Sequence, residues 1–327
     1  MTRYLLILLV LLLIVACDPL APIPTPTPQV IIVTPEASNT PIPTATRPPT
    51  ETPPPTSTPT NTPPPTALPC TQDGGQVIAF DDFRSETAGA TLPYQVYMPP
   101  CYLETGKRYP VVYLLHGLQQ DEREWPSLGV VEAMDQGIRL NALPPMILVM
   151  PDYGRIGADN SFLPDPSYET VLMDELLPAV ERDFCTINTR DQRAIGGISR
   201  GGFWAFSIAM RHPDVFGRAG GHSASFDANN APPAFNPLEL ALNTPFLTDA
   251  NLAMYIDNGA ADPAGTELQL FSSRLSSRGI AHTYVIHPVG EHDDEYWRAH
   301  LSEYLEFYGR DWTRNPSELP SCSEPSP

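Results

Sequence analysis

Apolar residues along this chain fall into three spacings, and each spacing predicts an element. Gln76–Phe80 and residues 92–98 alternate well enough to read as half-buried strands. Residues 109–115 and 146–150 are unbroken apolar runs, as expected of strands covered on both faces. In residues 168–184, Val171, Leu172, Leu176, Leu177, Val180 and Phe184 share one stripe at helical spacing. Residues 125–140 predict another helix. Further strands are expected at Arg193–Ile198, within 217–226, at 252–256 and at 282–286. Further helices are expected at 203–210 (closed by Pro213), 266–277 and 294–308. Residues 227–248 are Pro-rich and predict an irregular loop or cap near the site. Strands alternate with helices from Val111 onward, after antiparallel strands at the start. The fold class is therefore α/β, a mostly parallel central sheet with helices on both faces.

One junction in this pattern carries chemistry. The apolar run Ala194, Ile195, Ile198 leads into Gly197-Ile198-Ser199-Arg200-Gly201, and a helix follows. Strand, tight turn with Ser at its tip, helix is the setting of a nucleophile elbow. A side chain at Gly197 or Gly201 would crowd such a turn. A serine hydroxyl needs a base, and the base needs a carboxylate to orient it. Of the seven histidines, His292 is the best candidate base, because Gly290 frees the loop after the last strand; His287 is its rival. Asp262, in the loop past Gly259, is the candidate acid, with Asp257, Glu291 and Asp293 as alternatives. The order Ser…Asp…His resembles that of α/β-hydrolases. The backbone N–H groups of Arg200 and of Leu118, after His116-Gly117, are the candidate oxyanion donors. Trp204, His222 and Tyr153 are candidates for an acyl pocket, with packing as the alternative. The histidines lack ligand spacing, so neither a metal nor a cofactor is expected.

Composition divides the 327 residues. Eighteen of the 40 prolines and 13 threonines lie in residues 19–69. That stretch holds too little apolar surface to offset its ordering entropy, so 17–69 reads as a disordered linker before a domain at 70–327. The domain carries 17 basic and 35 acidic residues, which argues against nucleic acid and against a basic membrane-binding face. At the N-terminus, Arg3 precedes an apolar run from Leu5 to Val15, too short to span a bilayer. Ile14-Val15-Ala16-Cys17 resembles a bacterial lipobox. That resemblance implies a signal peptide at 1–16, a diacylglyceryl thioether on Cys17, and an extracytoplasmic protein anchored to the membrane.

Four further cysteines in an exported domain suggest disulfides. Cys70 and Cys322 stand at the two ends of the domain, and Cys101 and Cys185 each precede a strand. The expected pairs are Cys70–Cys322 and Cys101–Cys185.

A family resemblance joins these features. Val111-Val-Tyr-Leu-Leu-His-Gly-Leu118 with Trp125, Tyr168-Glu-Thr170, Gly197-Ile-Ser-Arg-Gly-Gly202, Arg211-His-Pro-Asp-Val-Phe-Gly217 and Gly290-Glu-His-Asp293 with Trp297 carry it. The chain resembles the esterase D-like α/β-hydrolases, which include feruloyl and acetyl xylan esterases, S-formylglutathione hydrolases and mycolyltransferases. The resemblance implies Ser199 as nucleophile, Asp262 as acid and His292 as base. Leu118 after His-Gly is similar to the mycolyltransferase branch. The sequence departs from the family at Gly221-His222-Ser223-Ala224 and at Gly290-Glu291-His292, positions that shape the pocket. The expected activity is a serine carboxylesterase acting on an extracytoplasmic ester, such as a feruloyl or acetyl ester of a polysaccharide. An acyltransferase of the mycolyl type, or an inactive surface binding protein on the same fold, are the alternatives.

Overall fold

The computed structural model describes residues 27–34, 69–159, 161–226 and 231–323. The expected signal peptide, Cys17 and most of the linker lie outside these residues. Among the described residues eleven strands form: β1 (Gln29–Val33), β2 (Gln76–Phe80), β3 (Arg84–Ser85), β4 (Ala90–Thr91), β5 (Tyr94–Met98), β6 (Val111–Leu115), β7 (Ile147–Pro151), β8 (Arg193–Ile198), β9 (Arg218–His222), β10 (Ala253–Gly259) and β11 (His282–His287). Nine of them make one sheet in the order β1-β11-β10-β9-β8-β6-β7-β5-β2, and β3 pairs with β4. The six strands from β11 to β7 are parallel; at one edge β1 pairs antiparallel with β11, and at the other β5 pairs antiparallel with β7 and β2 with β5.

The unbroken apolar runs are strands buried on both faces. Val111, Tyr113 and Leu115 belong to the core under the elbow helix Arg200–Arg211, whereas Val112 and Leu114 belong to the core under the final helix Asp294–Gly309. Alternate residues of one strand thus serve the two layers. Glu169 holds Arg211 and His212 (Nε2 to Oε1, 2.6 Å), which ties the end of the elbow helix to Tyr168-Glu-Thr170.

Four expectations about helices and strands are corrected. The helix at 125–140 is two helices, Glu124–Leu128 and Val130–Arg139, broken at Gly129 with φ 97°. The helix at 168–184 contains a π-wound stretch, Val171–Leu176, just before Pro178, whose missing N–H cannot complete an α-turn. Residues 227–248 are not wholly irregular: Pro237–Asn243 is a helix capped by the Asn236 side chain, with Pro at its first turn. Within the stretch read as linker, Gln29–Val33 is an edge strand paired with β11 from Gln29↔Ile286 to Val33↔His282. Its β-branched run supplies ladder hydrogen bonds and sets Ile31 against the core, while Val30 and Ile32 stay exposed.

The disulfides are Cys70–Cys101 and Cys185–Cys322, with Cα–Cα distances of 5.3 and 5.5 Å, and not the expected pairs. Strand register decides this. Gln76 opposes Met98, so the chain before β2 starts beside the chain after β5. The C-terminal tail returns past Gly106 (Cys322 N to Gly106 O, 2.8 Å), while Tyr109 N reaches Cys185 O at 2.8 Å.

Candidate active site

The elbow is built by β8 and the helix after it. Ser199 sits between them at φ 53° and ψ −113°, a conformation that is strained for a non-glycine residue. Its two glycines are sterically required. A Cβ on Gly197 would lie 2.3 Å from the Gly201 backbone, and one on Gly201 would lie 2.3 Å from Leu115 O.

The base and acid come from the loops after β11 and β10. Ala260 N donates to His287 O at 2.8 Å and Ala261 N to Gly290 O at 3.1 Å, which laces these loops together. His292 Nε2 then lies 2.9 Å from Ser199 Oγ, and His292 Nδ1 lies 3.0 Å from Asp262 Oδ1. Asp262 is buried. Burial would raise its pKa, but hydrogen bonds from His292, the nearby Ser223 hydroxyl and the Ala264 N–H outweigh it, so the carboxyl is held below its usual value. Its Oδ2 has no hydrogen-bond partner among the described residues. Trp297 meets the His292 ring edge-on at 5.2 Å and donates to Ser223 Oγ at 3.1 Å.

A cleft of about 690 Å³ opens over Ser199 and His292. Leu118 and Trp297 give it apolar wall, and Asp293, Asp294, Glu295 and Arg298, at the start of the final helix, also line it. Gly117 and Leu118 line the same cleft from the end of β6, and Arg200 begins the helix directly after Ser199, where the helix dipole favours an anion. The Arg200 side chain points away: it is buried, donates to Gly157 O at 2.9 Å and stacks near Trp204.

The rivals take other roles. Asp257 is wholly buried, with His222 Nδ1 at 2.7 Å on one oxygen and the Tyr296 and Tyr304 hydroxyls at 2.6 and 2.9 Å on the other. His287 faces Glu303 at 3.3 Å, too poorly angled for a full hydrogen bond. Trp204, His222 and Tyr153 are all buried and absent from the cleft lining.

Of two further groups at the site, Glu124 was not singled out from sequence and Tyr153 was expected only as a pocket wall. Glu124 Oε2 accepts from Gly117 N at 2.6 Å, and burial pushes this carboxyl up to about 7. Tyr153 donates its hydroxyl to Gly117 O at 2.8 Å. Only the adjacency of Glu124 to Trp125 hinted at the first, and the place of Tyr153 after β7 gave no sign of its bond to Gly117.

Among the described residues, His287, His300 and Glu303 bring ligand-type atoms within 4.8 Å of one another and could hold a metal. They partner each other instead. His287 and then His300 hold the Glu303 carboxyl well below its usual range, and the two ring centres lie 3.6 Å apart with the planes tilted by 30°.

A family model described as Putative esterase matches residues 85–308. An endo-1,4-beta-xylanase/feruloyl esterase of Xylanibacter ruminicola is 36% identical over 145 residues, 41% of this chain and 20% of that protein. An esterase of Mycobacterium tuberculosis is 35% identical over 147 residues, 43% of this chain and 31% of that protein. The chain thus matches between a fifth and a third of the length of these relatives. Among solved structures, a ferulic acid esterase superposes with a TM-score of 0.66 at 27% identity, over 72% of this chain and 99% of its own.

Proposed function

Since the chain belongs to the Putative esterase family, matched over residues 85–308, we propose that it is a serine carboxylesterase with Ser199 as nucleophile, His292 as base and Asp262 as acid. The observation that carries this reading is the unbroken hydrogen-bonded line from Ser199 Oγ through His292 to Asp262 Oδ1, at 2.9 and 3.0 Å. Ser199 Oγ attacks the ester carbonyl carbon and its proton passes to His292 Nε2. Asp262 stays ionised, holds Nδ1–H and stabilises the imidazolium. The Leu118 and Arg200 N–H groups receive the oxyanion. Collapse of the intermediate expels the alcohol, which takes the proton from His292. Water, deprotonated by His292, then attacks the acyl-enzyme and releases the acid.

Relatives that carry the name feruloyl esterase favour a feruloyl-type ester, and the Leu118–Trp297 wall offers apolar contact to such an acyl group. The apolar run before Cys17 supports export and lipidation at that residue, hence an extracytoplasmic ester. No helix among the described residues is long and apolar enough to cross a membrane.

The purified chain is expected to hydrolyse p-nitrophenyl acetate and to be labelled by a fluorophosphonate at Ser199. Ser199→Ala is expected to lose on the order of 10⁴–10⁶ in turnover; full activity in that variant would overturn the assignment. A panel of feruloyl, acetyl and aliphatic esters identifies the acyl group.

A further inference from the structure

The peptide joining Gly117 to Leu118 is gripped from behind. Gly117 O accepts from Tyr153 Oη at 2.8 Å, from His116 Nδ1 at 2.8 Å and from Gln120 N at 3.2 Å. The Gln120 contact closes the local turn. The other two come from buried side chains, and Tyr153 arrives from the end of a different strand, β7. Its ring is locked, stacked on His116 at 3.7 Å and met edge-on by Tyr168 at 5.7 Å.

In a trans peptide, the C=O and the following N–H lie in one plane and point in opposite directions. Donors converging on Gly117 O therefore aim the Leu118 N–H the other way. Leu118 lines the cleft with Ser199 and His292, and its N–H makes no hydrogen bond among the described residues. Hydrogen bonds to a carbonyl also polarise the amide and strengthen its N–H as a donor.

We propose that Tyr153 is a positioning residue for ester hydrolysis: its hydroxyl, through Gly117 O, fixes and polarises the Leu118 N–H that meets the oxyanion. This rests on the reading of Leu118 as an oxyanion donor. The hydroxyl touches neither substrate nor Ser199, and its effect is confined to the transition state, where charge develops on the carbonyl oxygen. Burial also holds the phenol above its usual pKa, so the donor persists through the alkaline range.

Tyr153→Phe tests this, because it keeps the ring, the stack and the Tyr168 contact. It leaves no orphaned acceptor, since His116 and Gln120 remain on Gly117 O. On p-nitrophenyl acetate, kcat is expected to fall about tenfold, with KM within about twofold, less than the loss from deleting an oxyanion donor outright. Affinity for phenylboronic acid, which forms a tetrahedral adduct on the serine, is expected to fall by about the same factor. The melting temperature is expected to move by less than about 3 °C. Unchanged kcat and boronate affinity overturn the proposal, as does a loss of kcat that boronate affinity does not share. Fluorophosphonate labelling of Ser199 in the wild-type chain separates the two readings. If labelling fails, the esterase reading falls; if it succeeds and Tyr153→Phe is silent, only the role of Tyr153 falls.

Discussion

Asp262 Oδ1 stands 3.0 Å from His292 Nδ1 although 30 residues separate them. Parallel pairing produces this contact. β10 and β11 finish together at Gly259↔His287, so the loops that follow begin side by side. The carboxyl ends of such strands are where a doubly wound sheet collects functional groups.

Asp262→Asn should leave this geometry in place but offer the wrong partner to Nδ1–H, costing on the order of 10⁴ in kcat with little change in melting temperature. Asp257→Asn should do the reverse. Its carboxylate is buried with three partners, and breaking such a cluster costs about 3–5 kcal/mol. Steady-state kinetics and thermal melts on both variants decide. An active Asp262→Asn beside an inactive, stably folded Asp257→Asn would exchange their roles.

Glu124 gives a stability signature in pH. Burial raises its carboxyl from 4.5 to about 7 in the fold; the Gly117 N–H opposes this only in part. Between these values the folded chain keeps a proton that the unfolded chain has released, so stability falls as pH rises. The total effect is about 3 kcal/mol. Glu124→Gln has no such proton. Melts at pH 5 and pH 8 should show the wild type losing ground to the variant at the higher pH. An equal gap at both values would mean that the carboxylate is ionised in the fold.

Non-reducing peptide mapping should recover Cys70 with Cys101 and Cys185 with Cys322. Their sequence separations are 31 and 137. On the chain-entropy account, losing the second should cost about 5 kcal/mol and losing the first about 4 kcal/mol. Melts of Cys185→Ser/Cys322→Ser and Cys70→Ser/Cys101→Ser double variants measure both.

Strand β1 covers the edge of β11. Ile31→Pro puts a proline in the middle of this short strand, opposite Tyr284, and should free that edge. Hydrolysis of a soluble ester should persist, while light scattering reports self-association. A monodisperse variant would show that the edge needs no cover.

The order of strands and helices was legible because the core is two-layered: unbroken runs mark strands buried on both faces, and a 3.6-residue stripe marks a helix. The strand–turn–helix context made Ser199 readable, and the positions of Asp262 and His292 after their strands made them candidates. What stayed hidden depended on neighbours in space. Cysteine pairing follows from the register of β2 on β5, which no spacing along the chain encodes. Gln29-Val-Ile-Ile-Val33 is strongly β-branched, yet the prolines on both sides outweighed it. Asn236-Pro237 is a helix-start signal that the surrounding prolines obscured. Tyr153 acts on Gly117 across 36 residues, and only the parallel alignment of β6 and β7 brings them together.

The docking of β1 shortens the leash on which a lipid at Cys17 would hold this enzyme. Only the 11 residues from Asp18 to Pro28 lie between that cysteine and Gln29. Even drawn straight they reach no more than about 40 Å, whereas the chain up to Cys70 would reach several times as far. Gln29 is also opposite Ile286, at the end of the sheet that bears Ser199 and His292. Under the proposed lipidation the tether would join the body on the side that bears Ser199 and His292, and the esters within reach would be those displayed close to the membrane surface.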